Sequence, residues 1–211
     1  SRSYHEFVAA MYGANRDGST IPAFEITDAD GLRKYGLGMV RPGGRGLGPF
    51  LKDGYLVRAD SLVDLAGQLG IDAGGLADTV MRMNGFAETG VDLDFNRGTT
   101  VYERANGDPS HTPNSTLGPV RTPPFYAIRL WPGDIGAATG LLTDADARLI
   151  DADGRPIDGL YACGNDMHSV MGGVYPAPGI NLGPAIAFAY IAGRHAAARS
   201  RDPKEELSSA E

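Results

Sequence analysis

Cysteine is almost absent from this chain, with Cys163 the single one in 211 residues. An internal disulfide and a thiolate metal cluster are thereby excluded, and a reducing, cytoplasmic setting is the expectation. No apolar run reaches the roughly 20 residues that a bilayer-spanning helix requires. A basic excess is lacking too: 19 Lys and Arg stand against 26 Asp and Glu, for a net charge of −7. The acidic residues are scattered, nothing gathers phosphate backbones or anionic lipid, and neither nucleic acid nor a membrane is an expected partner. The four histidines, His5, His111, His168 and His195, show no metal-ligand spacing, and no G-x-S-x-G turn is present. Zinc and serine-hydrolase chemistry therefore lack support, and His168 is expected to be exposed or to pack a loop. A dinucleotide-binding G-x-G-x-x-G turn is also missing. Gly43-Gly44-Arg45-Gly46-Leu47-Gly48 is glycine-rich, but no apolar strand precedes it and no helix signal follows, so it reads as a loop.

What the chain does have is concentrated between Gly159 and Gly193. Leu160-Tyr161-Ala162-Cys163 is a compact apolar run that predicts a short buried strand, stopped by Gly164-Asn165. A Gly/Pro-rich loop follows, then an apolar helix opening at Leu182 or Gly183 and running to about Arg199. Pro184 suits its first helical position, where a missing N–H costs nothing. Unpaired N–H groups at that helix end favour an anion, or a group that becomes anionic during reaction. Arg194, His195 and Arg199 suit the opposite end of the dipole.

Within the loop, Pro176 and Pro178 stiffen the backbone and remove two donors, which leaves Tyr175 and Gly179 as the sharpest pair. A phenol and a backbone N–H converging on one carbonyl oxygen would stabilise the negative charge that grows there as a neighbouring C–H loses its proton, which is enolisation. The same residues also read as a proline-stiffened loop around a buried tyrosine.

The remaining pattern predicts mixed α and β structure with a domain boundary near Gly136. A helix is expected from Tyr4 to Tyr12, opened by the capping box Ser3-Tyr4-His5-Glu6 and ended by Gly13. From Ser19 to Tyr55, strands and long loops are expected, packed over something rather than forming a sheet of their own. Paired surface helices follow: Leu62 to Leu69, begun by Ser61 and stopped by Gly70, and another capped by Asp72 with Leu76, Val80 and Met83 on one face. Asn84 to Arg121 reads as extended loops with one short helix. Short strands are expected at Phe125 to Trp131, Leu141 to Thr143, Arg148 to Ile150 and Leu160 to Ala162, with Asp153-Gly154 a turn between the last two. Asp92, Asp94, Asn96 and Glu103 imitate a calcium loop, but Arg97 stands where the sharp turn needs glycine, so a structural loop with local Asp–Arg pairing is expected instead.

Tyr-Pro-Ala-Pro-Gly-Ile-Asn-Leu-Gly-Pro-Ala, Tyr175 to Ala185, resembles the C-terminal flavin-binding stretch of the fumarate reductase/succinate dehydrogenase flavoprotein superfamily, in its 3-ketosteroid Δ1-dehydrogenase form. The resemblance extends back through Gly154-Arg155-Pro156-Ile157, Arg148-Leu149, Gly140-Leu141, Pro124-Phe125-Tyr126-Ala127 and Asp92 to Gly98. It implies an α+β or α/β C-terminal piece of a two-domain flavoprotein. Residues 1–135 would be a substrate (cap) domain of helices and short strands, and 136–211 the last strands and final helix of the FAD-binding domain. An N-terminal segment carrying the glycine turn would be missing, in keeping with a start at Ser1 without an initiator Met. FAD is the implied cofactor, a steroid-like hydrophobic ketone the implied substrate, and the electron acceptor is left open. Tyr175 and Gly179 would bind the 3-keto group, and Tyr4, with Tyr12 a weaker alternative, would remove the C2 proton. Gly164, Asn165 and Met171 would pass beside the flavin and its ribityl chain, Leu182 and Gly183 would present backbone N–H groups to the ring's N1/O2 edge, and Asn181 would also bind the cofactor. Two other readings stay open: a fumarate reductase-like enzyme with another substrate, and a non-catalytic fragment that binds a partner.

Overall fold

Phe125-Tyr126-Ala127-Ile128 is buried at every position, the signature of a strand covered on both faces. In the computed structural model, which describes residues 4–134 and 136–199, this run opens β3 (Phe125–Leu130). It is the middle strand of a three-stranded antiparallel sheet, with β1 (Ala23–Thr27) on one side and β2 (Val57–Ala59) on the other. Because side chains alternate along a strand, Tyr126 and Ile128 face one way and join Leu32, Leu37, Val40 and Leu56. Phe125 and Ala127 face the other and join Leu65 and Leu69.

Helices supply both covers. On one side α2 (Ala29–Tyr35) is capped by Asp28, and α3 (Gly48–Lys52) lies beyond the glycine loop. On the other, α4 (Leu62–Leu69) and α5 (Ala73–Thr89) pack together through Ala66, Leu76 and Val80. Ser61 Oγ accepts the Asp64 amide at 3.0 Å and Gly70 closes α4 in a left-handed turn. Asp72 accepts the amides of Gly74 and Gly75 at 3.1 and 2.8 Å.

Several expectations need correction. Residues Ser19 to Tyr55 hold a sheet strand and two helices, because Asp28 and the pairing of β1 with β3 outweigh local glycine content. The helix α1 (Tyr4–Ala14) runs through Gly13, which sits in open space where a glycine is tolerated; Ser3 lies outside the described residues. The helix α5 continues to Thr89 through residues expected to be loop, and α6 (Val101–Ala105) is the short helix of that region. Asp94 pairs with Arg82 of α5 rather than with Arg97. Asp92 spends its carboxylate on the amides of Asp94, Phe95 and Arg97.

The chain divides into two compact units, Glu6–Pro132 and a second beginning at Gly133. In the second, β4 (Arg148–Ile150) and β5 (Pro156–Tyr161) form an antiparallel hairpin, and α7 (Leu182–Arg199) follows. Leu141 and Thr143 form isolated bridges rather than a strand. No helix among the described residues is long and apolar enough to cross a membrane.

Candidate functional site

The end of β5 was expected to be a buried strand. Leu160 is instead 49% exposed and only Ala162 is buried, because a two-stranded hairpin has too few neighbours to cover both faces. Past it the chain turns tightly. Cys163, extended and half-buried, leads into a 3-10 turn at Gly164–Asp166. Gly164 has φ +65°, and a Cβ there would meet Ala185 at 3.5 Å, so this turn lies against the first turn of α7.

A second segment holds the turn from its other side. Leu141 N–H donates to Asp166 O at 2.8 Å, His168 N–H to Leu141 O at 2.9 Å, and Ser169 N–H to Ala138 O at 3.0 Å. The approach demands glycine at 140, where a Cβ would stand 2.5 Å from the Asp166 carbonyl oxygen. At Gly136 a Cβ would come within 2.8 Å of Asn165 Oδ1, so Asn165 is held in this corner while remaining exposed. Met167 is buried beneath it, and the His168 side chain is exposed as expected.

From Ser169 the loop folds on itself: Ser169 Oγ accepts the Met171 amide at 3.2 Å and Ser169 O the Gly172 amide at 3.2 Å. Gly172, Gly173 and Gly179 have φ of +64°, +83° and +97°, and each has open space where a Cβ would lie. Tyr175 and Asn181 are half-buried, while Met171, Gly179, Leu182 and Gly183 are exposed.

The helix α7 begins at Leu182, with Pro184 third in its first turn rather than first. Gly183 was expected to offer its N–H to a ligand. It donates to Gly179 O at 2.7 Å instead, since a loop closing directly into a helix satisfies the first amides itself. On α7, Leu182, Ile186 and Tyr190 are 71%, 69% and 64% exposed. Their i, i+4, i+8 spacing makes one apolar stripe beside the open glycines.

The far end of α7 is pinned to the hairpin by side chains. Tyr161 Oη and His195 Nδ1 lie 2.7 Å apart, and Arg199 Nη1 meets Asp158 Oδ1 at 3.0 Å. Arg194 lies 5.8 Å from the Tyr190 ring centroid. These three basic residues thus have specific partners beyond the helix dipole. In the hairpin, burial opposes ionisation of Asp144, but the Arg148 guanidinium and the amides of Arg148 and Asp146 outweigh it and hold the carboxyl below its ordinary value. Ala147, fully buried with φ +62°, accepts the Ala162 amide at 3.1 Å and links this hairpin to the turn.

The structure therefore gathers Gly164, Asn165, Met171, Tyr175, Gly179, Asn181, Leu182 and Gly183 around one turn, loop and helix start. Tyr4 begins α1, and its side chain lies outside the described residues. Tyr12 is exposed. Gly136, Gly140 and Ala147 shape this corner, a part that neither the boundary expected near Gly136 nor the Gly140-Leu141 resemblance had assigned to them.

An open glycine loop thus lies beside an exposed apolar stripe. The chain belongs to the FAD binding domain family, whose pattern matches residues 1–182. It is 43% identical over 202 residues to a 3-oxosteroid 1-dehydrogenase of Mycobacterium tuberculosis, covering 93% of this chain and 36% of that one. It is 40% identical to a 4-oxocyclohex-2-ene-1-carboxylate 5-dehydrogenase of Sinomonas cyclohexanicum, covering 92% and 33%. A 3-ketosteroid Δ1-dehydrogenase from Sterolibacterium denitrificans, solved in complex with 1,4-androstadiene-3,17-dione, superposes with a TM-score of 0.87 at 44% identity, over 93% of this chain and 36% of that one. The chain thus spans about a third of the length of these relatives.

Proposed function

We propose that the chain carries the ketone-activating, ring-side part of an FAD-dependent oxidoreductase. It would remove a proton and a hydride from adjacent carbons of a 3-ketosteroid or similar hydrophobic ketone, introducing a 1,2 double bond. Residues 1–135 then belong to the substrate domain and 136–211 to the FAD-binding domain.

The observation that carries this reading is the bond from Gly183 N–H to Gly179 O. It joins the loop bearing Tyr175 and Gly179 to the helix start whose exposed side is apolar. The residues fit a flavin ring: no Cβ stands at Gly172, Gly173, Gly179 or Gly183, each with open space, and Leu182, Ile186 and Met171 offer exposed apolar surface. Gly164, Asn165, Met171, Asn181, Leu182 and Gly183 would hold it. When bound, the flavin supplies the two-electron acceptor.

The chain's own residues account for the remaining chemistry. The Tyr175 hydroxyl and the Gly179 amide donate to the ketone oxygen and lower the cost of the enolate charge. A tyrosine base, assigned to Tyr4, takes the C2 proton; a phenol of ordinary pKa near 10 needs a neighbouring donor for that work. The 170–182 segment contains no Arg, Lys or His, which suits an uncharged ketone better than a dicarboxylate. The single cysteine supports a cytoplasmic setting.

Turnover of a 3-ketosteroid by a full-length protein carrying this chain, supplied with FAD and an artificial electron acceptor, tests the reading; the chain by itself is expected to be inactive. Steroid-dependent reduction of the acceptor is expected, and its absence overturns the proposal.

A further inference from the structure

The loops between α5 and β3 form a half-open pocket of about 440 Å³ within the first compact unit, and Arg97 and Arg104 stand exposed on it. Its lining includes Asp92, Arg97, Arg104, His111 and Asn114. We propose that this pocket binds a small oxyanion, one bearing a carboxylate or a phosphate group. The inference stands apart from the flavin chemistry and uses none of its residues.

Arg104 is set in place before any ligand arrives. Its Nη1 donates to Gly98 O at 3.1 Å and to Thr99 O at 2.7 Å, which uses both hydrogens of that nitrogen. The Nε and Nη2 edge remains, and this fork reads an oxyanion through two parallel bonds. Arg97 has its backbone fixed at both ends, the amide on Asp92 Oδ2 at 3.3 Å and the carbonyl on Asn114 Nδ2 at 3.0 Å. Its guanidinium meets no acceptor among the described residues.

The carboxylates of this region do not cancel those charges pairwise. Asp92 is taken up by three backbone amides, Glu103 by the amides of Gly98 and Thr100 and by the Thr100 hydroxyl, and Asp94 by Arg82. His111 Nε2 lies 2.7 Å from Leu117 O, so that nitrogen is committed to the wall. The lining thus presents two guanidiniums against one carboxylate, an excess of positive charge on a chain whose net charge is −7.

Calorimetric titration of the chain with inorganic phosphate and, separately, with succinate, at constant ionic strength set by chloride, tests this. Saturable binding of at least one is expected, and the pair of titrations identifies the oxyanion. Arg97→Gln, which removes no bond within the fold, is expected to weaken binding about tenfold, as the loss of a charged hydrogen bond implies. Arg33→Gln, which breaks only an exposed pair with Asp30, should leave it unchanged. No saturable heat with either anion, or full binding by Arg97→Gln, would overturn the proposal.

Discussion

The amide of Gly183 donates to the carbonyl of Gly179 at 2.7 Å, so the turn holding Gly179 and the first turn of α7 are one piece. Gly179 has φ +97° and open space where a side chain would go. Only the backbone, then, resists substitution. Gly179→Ala is expected to cost about 1–2 kcal/mol of stability through left-handed strain and to lower steroid turnover further by shifting the donor. Melting and kcat measured on one preparation separate the two effects. Turnover that stays at the wild-type rate would deny Gly179 its positioning role.

Gly140 tests the corner behind the site. A Cβ there would meet backbone atoms at 2.5 Å, whereas at Gly133 it would meet nothing within 4 Å. Overpacking against backbone costs about 1–3 kcal/mol. Gly140→Ala should therefore lower the melting temperature and weaken FAD binding, while Gly133→Ala leaves both close to wild type. Differential scanning calorimetry and flavin fluorescence titration are the measurements.

Asp28 is the most deeply buried carboxylate among the described residues of the first unit. It is 2% exposed; Oδ1 accepts the Gly31 amide at 2.8 Å, and Oδ2 accepts the amides of Arg121 and Thr122 at 2.7 and 2.9 Å. One side chain thus caps α2 and fastens the segment leading into β3. Asp28→Ala would strand these donors and is expected to cost about 2–4 kcal/mol, one helix cap plus buried unsatisfied amides. Urea unfolding measures it, and Asp30→Ala, on the exposed side of the same helix, should cost under about 1 kcal/mol.

Asp28 also shows where sequence reading ran out. Ser61, Gly70 and Asp72 announced their helices because cap and apolar period lie within a few residues of each other. Asp28 acts partly through Arg121 and Thr122, far along the chain, and the glycines after α2 masked its short apolar face. Phe125 to Ile128 was legible as a strand because a doubly covered strand is apolar throughout. Leu160 to Cys163 has the same texture, yet its hairpin leaves Leu160 exposed. Around the loop, proline spacing singled out Tyr175 and Gly179 as candidates. The engagement of Gly183 with Gly179, and the need for glycine at 140, depend on backbone approaches that no residue pattern encodes.

Acid should loosen two hairpin and cap carboxylates. Burial opposes ionisation of Glu103, but the Thr100 amide and hydroxyl and the Gly98 amide outweigh it, so its pKa lies below the ordinary 4.5; Asp144 lies below 3.8 for the reasons given above. A depressed folded-state value adds stability that is fully present above the unfolded pKa and is lost as pH falls through the folded one. The contribution should thus be constant at neutral pH, begin to fall near the unfolded values of about 4, and be lost only as pH drops through the lower folded values. Melting temperatures of wild type and Asp144→Asn, measured from pH 3 to 6, should converge toward the acid end.

Tyr175→Phe removes one hydroxyl and little volume. If that hydroxyl donates to the ketone oxygen, its contribution grows as enolate charge develops, so the loss falls on kcat more than on KM. A fall of about 10²- to 10³-fold in kcat is expected, the scale of one lost oxyanion donor. The half-buried ring remains to pack the loop, so melting temperature and FAD affinity should change little. A variant that binds steroid weakly yet turns over at the wild-type rate when saturated would make Tyr175 a wall of the pocket rather than a donor. Proton exchange at C2 of the steroid, followed by NMR without an electron acceptor, gives an independent reading, because a lost donor must slow enolisation itself.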